Sequence, residues 1–253
     1  VYTEQGGTAP ADTFKFTAVY TGNEDGATGA GPALTIADVA ATAAGVYNTA
    51  LITPADAFPS VGKYYYTVKE TAGTVAGIAY DASELYLMVL VTTDDAGTLI
   101  PSYYLYTDSN KTVKKDGFTN AYTAGSLKVT KTVTGNLGDK KKEFDFNVTF
   151  TKPEGKSWDM NGIVLPDGAT KVSDGVYSFK LKHGATAEFK NLPYDVTYTV
   201  TETAADGYTT TVGNVETNVA TGSIKADVTT AAFTNYKNGE IDTGVTTENL
   251  PYI

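Results

Sequence analysis

Cysteine is absent from all 253 residues, so no disulfide braces the fold and no thiolate holds a metal. Histidine occurs once, His183 in Leu181-Lys-His-Gly184, at an expected hairpin turn. A histidine metal site or a histidine-based triad therefore has no second member. Basic residues are scarce, 19 Lys and Arg against 29 Asp and Glu, for a formal net charge of -10 and a pI near 4.6. That balance argues against nucleic acid, whose phosphates require a basic face. No glycine-rich loop follows a strand and opens a helix, so phosphate binding is unsupported and no cofactor is expected. There is no signal peptide or membrane-length apolar run. The chain opens at Val1 inside an expected strand and closes at Leu250-Pro-Tyr-Ile253, which reads as a mature or trimmed product that has shed its export and anchoring segments. Helical periodicity is weak throughout. Its best stretch, Leu34 to Ala44, is either one short helix or a connection between strands.

What is present is tyrosine and threonine, crowded into short segments bounded by Gly, Asp, Asn and Pro, a mixture that favours strands. A hexapeptide occurs twice, Tyr66-Thr-Val-Lys-Glu70-Thr71 and Tyr198-Thr-Val-Thr-Glu202-Thr203, each followed by Phe-Thr-Asn, at Phe118 to Asn120 and Phe233 to Asn235. This duplication divides the chain near residues 121–126. Period-two alternation marks Leu127 to Val133, Phe144 to Phe150 and Tyr177 to Lys182 in the second half, and Phe14 to Phe16 and Lys63 to Val68 in the first. Leu85 to Val91 is apolar almost throughout. The expectation is an all-β chain of two tandem immunoglobulin-like sandwiches, residues 1–122 and 123–242, with a tail over 243–253.

Successive side chains on a strand face opposite ways, so parity sorts core from solvent. By that count Glu202 lies with Tyr198 and Val200, Asn235 with Phe233, and Lys131 with Leu127, Val129 and Val133. An acid, an amide and an amine all point inward. A buried lone charge costs more than a domain's net stability, so such residues pair or change protonation state. A satisfied Lys-Glu pair beside a satisfied Asn is one outcome. The other is covalent: burial disfavours both charged forms, and a neutral Lys131 amine can attack the Asn235 side-chain carbonyl while Glu202 shuttles protons until ammonia leaves.

Ser126-Leu-Lys-Val-Thr-Lys-Thr-Val-Thr-Gly-Asn136, the Gly138 to Phe146 segment, Glu202 and Asn235 resemble the second domain of the streptococcal T-antigen major pilins. Gly62 to Glu70 and Phe118 to Asn120 resemble the first. The resemblance implies a Lys-Asn isopeptide bond in each domain, assisted by a glutamate: Lys131, Glu202 and Asn235 in the second, Glu70 and Asn120 in the first. The first-domain lysine is missing from its expected place. Matching Val1-Tyr-Thr to Val133-Thr-Gly puts it just upstream of Val1, and Lys15, between Phe14 and Phe16, is expected to face solvent.

The same resemblance reads Glu240-Ile241-Asp242-Thr243-Gly244 as a sortase motif cut between Thr243 and Gly244, though it lacks the usual proline; Asp-Thr-Gly alone is a common turn. It assigns the acceptor amine to Lys114, with Lys115 as the alternative, where the bland reading is a solvated lysine pair. Joining Thr243 of one subunit to Lys114 of the next is a heterologous contact that does not close and so makes a fibre. The implied protein is a surface pilus shaft subunit, cell-wall anchored and not an enzyme. Its partners are copies of itself, a pilin-type sortase, and minor pilins or a tip adhesin. The competing reading is an adhesin module that binds a host protein or glycan. A hydrolase is disfavoured because neither Glu70 nor Glu202 has a second inward carboxylate.

Smaller features carry less. Asn23 to Gly26 and Thr93 to Gly97 lack EF-hand spacing and are expected to be turns, so no metal is expected. Trp158 and Met160 suit a surface patch or a loop anchor. Asn110-Lys-Thr112 and Asn147-Val-Thr149 fit the glycosylation pattern, which arises by chance and carries no weight.

Overall fold

A computed structural model of the chain describes residues 1–52 and 57–240. Among them the only helical element is one 3-10 turn, Met160–Gly162; the rest is strand and turn. The first half centres on a five-stranded sheet in the order Val39–Ala41, Asp12–Asn23, Gly62–Thr71, Glu84–Thr93, Leu99–Tyr106. Facing it, Tyr2–Gln5 and Ile78–Ala79 flank the start of a long strand, Asn120–Thr134. The second half repeats the plan. Its five-stranded sheet runs Thr170–Ser173, Val176–Leu181, Phe144–Thr151, Thr197–Glu202, Val219–Ser223, opposite Thr186–Pro193, the end of Asn120–Thr134, Val228–Tyr236 and Thr209–Val212.

Alternation explains both cores. Phe144, Phe146, Val148 and Phe150 are buried while Asp145, Asn147 and Thr149 are exposed, and Phe146 stacks on Phe179 with centroids 5.3 Å apart. Each such side chain contributes about 1.5–3 kcal/mol on full burial. The near-continuous apolar run at Leu85 to Val91 has a local cause: Leu85, Leu87, Val89 and Val91 are buried, and Tyr86, Met88 and Leu90 cover the sheet's outer face, half-exposed. Leu34 to Ala44 forms no helix. It holds two short strands, Thr35–Ile36 and Val39–Ala41, because Leu34 and Ile36 reach the core at a spacing of two.

No linker separates the halves. The strand Asn120–Thr134 is the last strand of one sandwich and the first of the other. Around it Ser157 donates its backbone N–H to the Thr74 carbonyl (2.8 Å) and accepts from that of Ala76 (2.9 Å). Asn191, at φ 58°, accepts from the Thr8 N–H (3.0 Å) and donates to the Gly162 carbonyl (2.8 Å). Trp158, beside Ser157, packs edge-on to Phe150 and so anchors this loop to the second core.

Candidate functional site

The second-half site is assembled by three strands. Lys131 comes from the long strand, Asn235 from Val228–Tyr236, which pairs with it in parallel, and Glu202 from the facing sheet, opposite Phe146. All three side chains are sealed, none more than 1% exposed. Lys131 Nζ donates to Glu202 Oε1 at 2.8 Å and to Oε2 at 2.6 Å. Asn235 Nδ2 donates to the same Oε1, and Asn235 Oδ1 has no partner. Phe144 and Phe146 form the floor, their ring centroids 4.4 and 5.7 Å from Nζ. Burial depresses the lysine's pKa, with the Glu202 hydrogen bond and charge opposing it. The carboxylate thus touches both the amine that would attack and the nitrogen that would leave.

Strand ends are fixed on both sides of this lysine. The Lys131 carbonyl accepts from Gly184 N–H, its N–H donates to Ala185, and the Val133 N–H donates to His183 Nδ1 at 3.0 Å. The only histidine is therefore a side-chain acceptor for a backbone N–H, and its turn, expected to be a hairpin, instead crosses between sheets, because Val176–Leu181 and Thr186–Pro193 lie in opposite ones.

The first-half site has the same scaffold. Phe16 lies opposite Glu70 as Phe146 lies opposite Glu202. Asn120 Nδ2 donates to Glu70 Oε2 at 2.9 Å, while Glu70 Oε1 is buried without a partner. Burial raises the Glu70 pKa most strongly; the Asn120 hydrogen bond opposes, and the Asp81 charge adds to the rise. A cavity of about 280 Å³ lies alongside, lined in part by Phe14, Phe16, Val68, Leu87, Phe118 and Asn120.

Register also refines the lysine position. Tyr2 pairs with Asn120 as Val133 pairs with Asn235. Tyr2, not Val1, is therefore the counterpart of Val133, and the counterpart of Lys131 is the position directly before Val1. Lys15 is exposed, as its parity requires.

Asp81 is the residue that sequence reasoning missed. Its backbone N–H donates to Asn120 Oδ1 at 2.8 Å. Its carboxylate accepts from the Ser83 N–H and hydroxyl, the Thr119 N–H and Lys115 Nζ. Burial alone would raise its pKa, but the Ser83, Thr119 and Lys115 contacts together hold it down at about 2. The Asp-Ala-Ser spacing, an Asx-turn pattern, was the available signal.

The neighbouring lysines differ. Lys115 is 3.4 Å from Asp81, its side chain 29% exposed. Lys114 is exposed, with Nζ 5.2 Å above the Tyr104 ring. Glu240 is exposed, and Ile241, Asp242, Thr243 and Gly244 lie outside the described residues. Asn23 to Gly26 and Asp94 to Gly97 are turns closed by their own Asn23 and Asp94 side chains. Among the described residues no three His, Asp or Glu side chains are grouped to hold a metal, and no helix is long and apolar enough to cross a membrane.

The class these features define is a tandem immunoglobulin-like β-sandwich protein in which each sandwich turns a glutamate toward an asparagine on its last strand. Residues 2–123 match the family described as Spy0128-like isopeptide containing domain, and residues 125–237 match a family described only as a domain of unknown function. The fold is that of the major pilin from Streptococcus pyogenes, with a TM-score of 0.68 at 24% identity, covering 94% of this chain and 97% of that one. The S. pyogenes major pilin T-13 is similar as well, at 25% identity and a TM-score of 0.61, covering 93% and 95%. A curated S. pyogenes serotype M1 pilin is 32% identical over 159 residues, covering 54% of this chain and 46% of the pilin. The pilus tip adhesin Cpa of S. pyogenes is 37% identical over 126 residues, covering 48% and 18%. The chain thus spans less than half the length of these two curated relatives.

Proposed function

We propose that this chain is a structural shaft subunit of a covalently polymerised surface pilus, stiffened by a self-made Lys131–Asn235 isopeptide bond. The observation that carries the reading is the sealed contact of Lys131, Glu202 and Asn235. Glu202 takes a proton from the Lys131 ammonium across their hydrogen bond, leaving a neutral amine. The amine nitrogen attacks Asn235 Cγ, Glu202 passes its proton to Nδ2 as the Cγ–Nδ2 bond breaks, and the carboxylate then takes the second proton from the attacking nitrogen and ends neutral. One amide forms and one ammonia leaves, with no oxidant or cofactor. This is a single self-directed turnover, not enzymatic catalysis. In the first half the same chemistry joins Asn120 to a lysine directly before Val1, with Glu70 as the shuttle and the Asp81 N–H polarising the Asn120 carbonyl.

In polymerisation, a pilin-type sortase cuts between Thr243 and Gly244 and transfers Thr243 to an exposed amine of the next copy. Lys114 suits that role because its amine has no anionic partner among the described residues, while Lys115 is held by Asp81. Such a fibre belongs on a Gram-positive cell wall, with minor pilins or a tip adhesin as further partners. The match to a tip adhesin supports a second reading, an adhesin module that uses the cross-link only for stiffness. Intact mass decides the cross-link: one lost ammonia is expected, and an unshifted mass sinks it. A Thr243–Lys114 linkage in native polymer, as against a saturable ligand for the monomer, separates shaft from adhesin.

A further inference from the structure

The chain does not leave the second sandwich freely after Tyr236. The Asn136 side chain grips it on both sides: its Nδ2 donates to the Gly239 carbonyl and its Oδ1 accepts the Gly239 N–H, each at 2.8 Å. The Asn136 N–H in turn donates to Asn238 Oδ1 at 2.9 Å. Leu137 N–H bonds the Lys237 carbonyl, and Lys237 N–H that of Thr134, both at 3.1 Å. Gly135 makes this approach feasible. At φ 90° it carries no Cβ where one would collide with the Lys237 carbonyl.

The clasp leaves a short tether. Only Glu240 to Thr243 lie between Gly239 and the proposed joint, and four residues span at most about 14 Å when fully extended. Beside the clasp, among polar neighbours, two apolar side chains stand exposed, Leu137 at 53% and Tyr236 at 47%. The surroundings of Lys114 are apolar. Tyr65, Met88 and Tyr104 stand in one cross-strand row on the outer face of the first sheet, half-exposed, with Lys111 Nζ 4.2 Å from the Tyr65 ring and Lys114 over Tyr104. The matching face of the second sheet is polar, with Asn147, Thr149, Thr199, Thr201 and Ser178 pointing outward.

We propose that the Asn136–Gly239 clasp holds the joint so short that the Leu137–Tyr236 tip of one copy seats on the Tyr65–Met88–Tyr104 face of the next. The partner is a second copy of this chain, and the inference rests on the Thr243–Lys114 linkage proposed above. Tether length confines the tip to the neighbourhood of Lys114, and burying these apolar side chains against each other supplies the contact.

Because the chain has no cysteine, a double variant, Leu137→Cys with Tyr104→Cys, reports the contact directly. Sortase-joined product should form the intersubunit disulfide, and unjoined monomer at the same concentration should not. Joined product whose Thr243–Lys114 bond is verified by peptide mass spectrometry, yet which forms no disulfide, overturns the contact and leaves the shaft reading intact. Failure to form any Thr243–Lys114 bond overturns both. The clasp is read separately, by hydrogen exchange on the unaltered monomer. Leu137 and Gly239 amides should be protected, and Asn136→Ala should reduce Gly239 protection about tenfold. Gly239 exchanging at an unprotected rate in the unaltered chain overturns the clasp.

Discussion

Lys131 and Glu202 meet at 2.6 Å with neither side chain showing any solvent exposure. An ion pair there receives no help from water, and removing one partner of such a pair typically costs about 3–5 kcal/mol. Glu202→Gln separates the structural from the chemical role: it keeps the side chain's shape, removes the proton shuttle and leaves the lysine without a counter-charge. The expected outcome is a chain that retains its ammonia by intact mass and melts well below the unaltered protein. A Glu202→Gln chain that still loses ammonia would contradict the shuttle.

The proposed Lys131–Asn235 cross-link would join the first and last strands of the second sandwich and so close almost the whole domain into one loop. A covalent closure of about a hundred residues restricts the unfolded chain by roughly 4–5 kcal/mol in the entropic account. Asn235→Ala should therefore lose several kcal/mol in urea unfolding and become sensitive to protease. Asn120→Ala, which disturbs the first-half site, should leave the second-half bond intact by mass. An Asn120→Ala chain that retains its ammonia as Asn235→Ala does would show that the two sites are not independent.

Much of this was legible before any coordinates, because the burial that places Lys131, Glu202 and Asn235 is written in period-two alternation. The same logic placed Lys15 outside. Three things escaped it. Leu34 to Ala44 is too short and Ala-rich for periodicity to choose between helix and strand, and tertiary packing of Leu34 and Ile36 decided it. Asp81 acts through its backbone N–H, which no side-chain pattern reveals. The one-residue register between Tyr2 and Val133 depends on parallel pairing with a strand more than a hundred residues away.

Acid should weaken the first half through Asp81. Its pKa, held at about 2 in the folded chain, lies below the usual aspartate value of about 3.9. The contribution is therefore fully present above pH ~4 and is lost as pH falls toward 2; with screening it amounts to about 1–2 kcal/mol. Glu70, raised by burial, acts oppositely, favouring the fold as pH falls through its folded value. Asp81→Asn should flatten the acid limb of first-half unfolding between pH 4 and 2. An unchanged limb would place the acid sensitivity elsewhere.

Choice of acceptor can be read from single lysines. Lys114→Arg keeps the positive charge above Tyr104 but removes the primary amine, and should abolish joining by sortase while leaving fold and mass shift unchanged. Lys115→Ala should still be joined, at a stability cost below about 1 kcal/mol for a partly exposed pair. Joining that survives Lys114→Arg and fails in Lys115→Ala would reverse the assignment.

Equivalence of Tyr2 with Val133 makes the sharpest demand on the first half. A chain extended by one lysine directly before Val1 should place that amine beside Glu70 Oε1, the buried oxygen without a partner, and lose a second ammonia on folding. Alanine at that position should not, and a lysine set one residue further upstream faces the wrong side of the strand and should not either. The expected product is an amide between the added lysine and Asn120, found by peptide mass spectrometry and absent after Glu70→Ala. If the lysine one residue further upstream reacts instead, the register Tyr2 to Asn120 is not the one in which the bond forms.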